Sequence, residues 1–108
     1  MDDADLERLS QYIDDPATLH QPLAIDRVAY TKVDDRVLNG SRYALLKIRQ
    51  AQSSNCLQVM RKTNATLWKS VCVYYVEADI WNFDDEDAMT EGIAIIGEYK
   101  QKMALFES

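Results

Sequence analysis

At 108 residues, with 47% hydrophobic content and an aromatic set of two Trp, six Tyr and two Phe, the chain is long and apolar enough to close one small core. Three Gly, two Pro and 28% charged residues exclude collagen-like and low-complexity classes and wholesale disorder. The net charge of -6 is unevenly distributed: Arg36, Arg42, Lys47, Arg49, Arg61, Lys62 and Lys69 fall in a window from Arg36 to Val76 that holds no acid, while both ends are strongly acidic. Such sorting shapes the field around a protein and its choice of partners without identifying a reaction. The first residues, Met1 to Leu9, are acidic where a leader peptide would be basic, and no apolar stretch approaches the ~20 residues of a membrane span. The expectation is an intracellular protein, cytoplasmic or nuclear, with no membrane partner.

In chain order, Leu6, Leu9 and Ile13 are spaced for one helical face behind Asp2 and Asp3, predicting a helix from about Asp3 to Asp14. Asp15-Pro16 stops it, because the residue before proline is pushed out of the helical region. Ile25, Val28, Tyr30 and Val33 alternate imperfectly and suit one strand containing a bulge. Asn39-Gly40 is the strongest turn signal, since a two-residue hairpin loop needs positive φ at both positions. Counting back from a Leu38–Ser41 closure puts Val33 opposite Leu46 and Thr31 opposite Ile48. Val37, Val33, Ala44, Leu46 and Ile48 then share an apolar face, and Tyr30, Lys32, Tyr43, Lys47 and Arg49 a basic one. A competing reading makes Arg42 to Gln52 a helix capped by Ser41, because its residues are good helix formers.

Ser53-Ser54-Asn55 marks a break, and Cys56 to Lys62 a third strand. Thr66 to Phe83, rich in β-formers, reads as one long fourth strand, with Trp68, Cys72, Tyr74, Val76, Ala78 and Ile80 on its core face. A two-residue loop at Asn64-Ala65 sets Leu57 opposite Cys72 and turns Cys56 the other way, so the thiols stay apart. Asp84 caps a last helix whose seam is Met89, Gly92, Ile96, Tyr99, Met103 and Phe106. The predicted fold is a single α+β domain over residues 1–108: an N-terminal helix, a four-stranded mostly antiparallel meander, and a long C-terminal helix packed on the sheet.

Chemistry-bearing motifs are sparse. His20, the only histidine, lies in a connector between Pro16 and Pro22, with no nucleophile motif beside it. Asp14-Asp15, Asp34-Asp35 and the run from Asp84 to Asp87 lack the alternating acids and central glycine of a calcium loop. Cys56 and Cys72 lack zinc spacing, and no glycine-rich phosphate loop occurs. The expectation is therefore a non-enzyme without metal or cofactor.

Two functional readings follow. In the first, the chain is a protein-binding subunit or adaptor, a class that includes inhibitors, immunity factors and chaperones. It meets another protein or a second copy of itself through the exposed sheet face, the acidic helices, or both. Val71, Val73 and Tyr75 on the odd face of the long strand, and Ile93 and Ile95 beside the last helical seam, are its candidate contacts. In the alternative, a basic sheet face binds single-stranded nucleic acid. Tyr30, Tyr43 and Tyr75 stack bases while Lys32, Lys47, Arg49, Arg61 and Lys69 meet phosphate.

Overall fold

The computed structural model describes residues 2–50 and 55–107, with side chains to residue 105. Helix α1, Asp3–Asp14, starts where Asp2 accepts a hydrogen bond from the Asp5 N–H at 2.9 Å and ends before Pro16. Its buried face is Leu9, Tyr12 and Ile13, whereas Leu6 is exposed. Six strands follow in one antiparallel sheet whose spatial order is the chain order: β1 Leu23–Ile25, β2 Val28–Leu38, β3 Ser41–Gln50, β4 Cys56–Lys62, β5 Trp68–Tyr75 and β6 Ile80–Phe83. Helix α2, Met89–Glu107, closes the chain. The meander thus has six strands rather than four.

The two extra strands arise at turns with weak local signals. Asp26 and Arg27 both have positive φ, 49° and 68°, and make a tight hairpin between β1 and β2, where one bulged strand was expected. Asn39 and Gly40, at 51° and 79°, make the hairpin that their dipeptide predicts. The long fourth strand breaks at Val76–Asp79. Asp79 has a φ of 53°, and its carboxylate accepts from the Tyr74 hydroxyl at 2.6 Å. Arg42 to Gln50 is strand, which removes the helical alternative over those residues; Ala51, Gln52 and the Ser53-Ser54 part of the predicted break lie outside the described residues.

Two bulges decide which side chains share a face. Lys32 pairs with Leu46 and Asp34 with Leu45, so Val33 is the extra residue and the expected pairing of Val33 with Leu46 moves by one. Lys32 and Tyr30 thereby join the face of Ala44, Leu46 and Ile48, and Val33 crosses to that of Tyr43 and Leu45. In β5, Val59 pairs with Cys72 and Met60 with Ser70, so Val71 is extra and points with Cys72 to one face. The long strand therefore has no single core face: Trp68 is buried on one side, Cys72 and Tyr74 on the other. Cys56 pairs with Tyr75 and Val59 with Cys72, so the two thiols lie on opposite faces, both free and buried. Burial pushes the Cys56 thiol up and the Cys72 thiol up to about 11, leaving neither as a ready thiolate.

One helix covers each face of the sheet. Under α1 lie Ala44, Leu46, Ile48, Met60 and Trp68, and under α2 lie Tyr43, Leu45, Leu57, Val59 and Val71. Asp85, rather than Asp84, caps the turn that leads into α2; its Oδ1 accepts from the Asp87 N–H at 3.1 Å. Asp85 also pairs with Arg61 at 2.8 Å, which fastens the start of α2 to β4. The helix seam is Ala88, Gly92, Ile95, Ile96 and Tyr99; Met89 is 37% exposed, and the Phe106 side chain lies outside the described residues.

At Gly92 the helix comes so close that an added Cβ would stand 2.7 Å from Cys72 Sγ and 3.0 Å from Val71 Cγ1, whereas Gly97 has nothing within 4 Å. Gly92→Ala is therefore expected to destabilise the protein by about 1–2 kcal/mol despite its better helix propensity, because both neighbours are fully buried and cannot yield. Gly97→Ala is expected to stabilise by about 0.5–1 kcal/mol. The two urea midpoints, moving in opposite directions, check the approach of α2 to β5.

Candidate interaction site

Four of the seven basic residues of the central window, Arg36, Arg42, Arg61 and Lys62, and Lys32 just before it, are spent in pairs within the molecule. The C-terminal end of α1 presents carbonyls at the negative end of the helix dipole, and the sheet meets them with cations. Lys32 Nζ, fully buried, donates to the Ile13 and Asp15 carbonyls at 2.9 and 2.8 Å and lies 3.3 Å from Asp35. Arg42 donates to the Asp14 carbonyl at 3.0 Å and to the Asp35 carboxylate at 2.7 Å, with its guanidinium 5.2 Å over the Trp68 ring. Lys62 reaches Asp14 at 2.5 Å. On the other face Arg36 joins Asp34 and Glu98, and Arg61 joins Asp85.

These pairs give stability a defined acid limb. The Lys62 hydrogen bond, helped by the charges of Lys62 and Arg42 and opposed by burial, holds the Asp14 carboxyl below its ordinary value of 3.8. At Asp35, burial pushes upward, but hydrogen bonds and charge from Arg42 and Lys32 outweigh it and the net shift is also downward. The unfolded chain then binds more protons than the folded one between the folded pKa values and 3.8, so this stability is complete above 3.8 and is lost as pH falls through the folded range. Asp35→Asn should weaken the dependence of the urea midpoint on pH between about pH 5 and pH 2, while leaving its form above about pH 6 unchanged.

The expected contacts do not form one surface. Val71 and Ile95 are 0% and 1% exposed, sealed between β5 and α2, so neither is a contact surface of the folded protein. The bulge turns Val71 inward, and Ile95 belongs to the helical seam rather than its flank. Val73 and Tyr75 are half-buried against the α1-side core, and Ile93 is exposed. The nucleic-acid set is divided between the two faces. Tyr30 and Tyr75 lie half-buried on the α1 face, Tyr43 is buried under α2, Lys32 caps α1 and Arg61 is held by Asp85. Lys69 is exposed, and Lys47 and Arg49 line a cleft beside α2. Because a helix covers each face, these tyrosines cannot act as a common stacking platform.

The arrangement brings together a different set of residues at β6, which among the described residues is an edge strand paired with β5 alone. Trp81 packs on Tyr74 with centroids 4.7 Å apart, and the Trp81 and Phe83 rings stack at 5.7 Å with 6° between their planes. Lys100 sits 4.3 Å over the Tyr74 ring, which places that flank of α2, with Met89 and Ile93, toward β5 and β6. Ile80, opposite Tyr75, points to the other face. Ile80, Phe83, Met89 and Ile93 are 54%, 38%, 37% and 43% exposed. Exposed acids flank the strand, with Glu77 and Asp79 before it and Asp84, Glu86 and Asp87 after it. The sequence signal for this edge was the weak β-propensity of Glu77-Ala78-Asp79 within an otherwise strand-forming run.

In comparisons with known proteins, the chain matches no family model, no curated protein and no solved structure. Among the described residues, no helix is long and apolar enough to cross a membrane.

Proposed function

We propose that this protein is a non-catalytic binding subunit that captures an extended, lysine- or arginine-flanked apolar segment of another protein along the open edge of β6. The observation that carries this reading is the pairing of β6 on one side only, with exposed apolar side chains on both of its faces. Unprotected edges of this kind accept an added strand, main-chain hydrogen bonds supplying affinity and alternate side chains supplying specificity. The opposite edge, β1, is three residues long, and its Ile25 is buried. The acids around β6 favour a basic occupant and disfavour a second copy, since antiparallel pairing of two β6 strands would set Asp79 near the partner's acidic end. The absence of catalysis is part of the proposal. It is supported by the structural employment of groups that could react: both thiols are buried on opposite faces, and Asp14, Asp35 and Asp85 are held by cations.

Amide NMR with a lysine-flanked Val-Ile-Val-Ile peptide and its glutamate-flanked counterpart tests this directly. Saturable shifts at residues 80–83 with the lysine peptide alone, lost in Ile80→Lys, are the expected result. No shift at β6, equal response to both peptides, or dimerisation of the free protein through this edge would overturn the proposal.

A further inference from the structure

On the opposite flank of α2 a cleft of about 560 Å³ opens between the C-terminal half of the helix and strands β2 and β3. That volume is in the range of small-molecule sites. Its apolar wall is Val33, Ile95, Tyr99 and Met103, and its ionic lining is Arg36, Lys47, Arg49 and Lys102 against Asp34. The four cations are not equivalent. Arg36 is taken up by Asp34 at 2.6 Å and Glu98 at 2.7 Å, and Lys102 lies 3.5 Å from Glu98. Lys47 and Arg49 have no ion pair among the described residues, although every other cation of β2 to β4 has one.

Their position in the strand makes this more than a solvated fringe. Lys47 and Arg49 continue the face of Tyr43 and Leu45, the row that packs under α2. Two residues apart on one strand, they stand about 7 Å from each other, a separation that a multi-oxygen anion seated between them can bridge. Thr31 and His20 add polar groups to the same lining. We propose that this cleft binds a small ligand carrying a doubly charged oxyanion, a phosphomonoester or a dicarboxylate, on an apolar or aromatic body. Lys47 and Arg49 receive the anion, and Tyr99 with Met103 receives the body. The site is independent of β6, which lies across the helix, and either can fail without the other.

Calorimetric and amide NMR titrations of the full chain with phenyl phosphate, phthalate and uncharged benzyl alcohol test the assignment. The expected result is saturable binding of phenyl phosphate or phthalate with shifts at Thr31, Lys47 and Tyr99, the stronger of the two identifying the anion type. Affinity should fall about tenfold for benzyl alcohol and by a similar factor in Lys47→Gln/Arg49→Gln. Arg49→Gln alone, at an exposed position, serves if the double variant loses stability. The proposal is overturned if neither anion gives saturable shifts at the cleft, or if the variants bind as well as the wild type. It is likewise overturned if a single-stranded oligonucleotide without a terminal phosphate competes far more tightly with a steep salt dependence, which would assign the two cations to a nucleic-acid backbone.

Discussion

Lys32→Met should lower the free energy of unfolding by about 3 kcal/mol, a large fraction of the stability of a domain this size. Methionine preserves most of the buried stem but supplies no donor. The Ile13 and Asp15 carbonyls and the Asp35 carboxylate all lose their ammonium partner. The loss falls hardest on the buried Ile13 carbonyl, because the Asp15 carbonyl keeps Thr18 and Asp35 keeps Arg42, and a buried acceptor deprived of its donor costs far more than the net worth of the hydrogen bond itself. The neighbouring Tyr12 hydroxyl, which accepts from the Lys32 N–H at 2.8 Å and donates to the Gln21 carbonyl at 2.5 Å, ties the same point of β2 to the connector, so loosening should spread to α1. Chemical denaturation reads the loss, and hydrogen exchange should show it concentrated in residues 9–15. A variant as stable as the wild type would mean that the cation under α1 is dispensable.

The second large effect tests the two-sided architecture. Leu46 and Ile96 are both fully buried, Leu46 beneath α1 and Ile96 in α2 on the other face of the sheet. Truncating either to alanine should cost about 3 kcal/mol from lost burial and the cavity left behind. Because the backbone layer of the sheet separates them, the double variant should add within about 0.5 kcal/mol. Sulfate in the buffer keeps the double variant measurable by favouring the compact state. Coupling well beyond that margin would mean that the two packing layers share side chains through the sheet rather than being separated by it.

The elements legible in the sequence were those with local causes. Helix α1 follows from Asp2, the Leu9–Ile13 spacing and Pro16, and β3 and β4 follow from the Asn39-Gly40 turn and the Cys56 to Lys62 run. Strands β1 and β6 were absorbed into longer neighbours, because Asp26-Arg27 and Asp79 adopt positive φ without the Asn-Gly signature. At Val33 one extra residue shifts the β2–β3 register and reverses the facing beyond it. Between β4 and β5 the register shifts twice, first at the turn, where Lys62 pairs with Trp68 and the loop is longer than two residues, and again at Val71, so that Leu57 pairs with Tyr74 rather than Cys72. Of the expected protein contacts Val71, Val73, Tyr75, Ile93 and Ile95, Ile93 alone is widely exposed, while the β6 edge and the α2 cleft depend on elements far apart in the chain.

What the amino-acid order determined by itself was the α+β class, the helix at each end and the segregation of charge, since propensity, capping and turn chemistry act over a few residues. Whether the central cations face water or another part of the chain was decided only by tertiary structure. Lys32, Arg42 and Lys62 meet the end of α1 across 17 to 48 residues of chain, and Lys47 and Arg49 have no ion pair among the described residues and line the cleft beside α2. The physical reason is that a charge finds its partner through space, and bulges of a single residue choose which partner comes within reach.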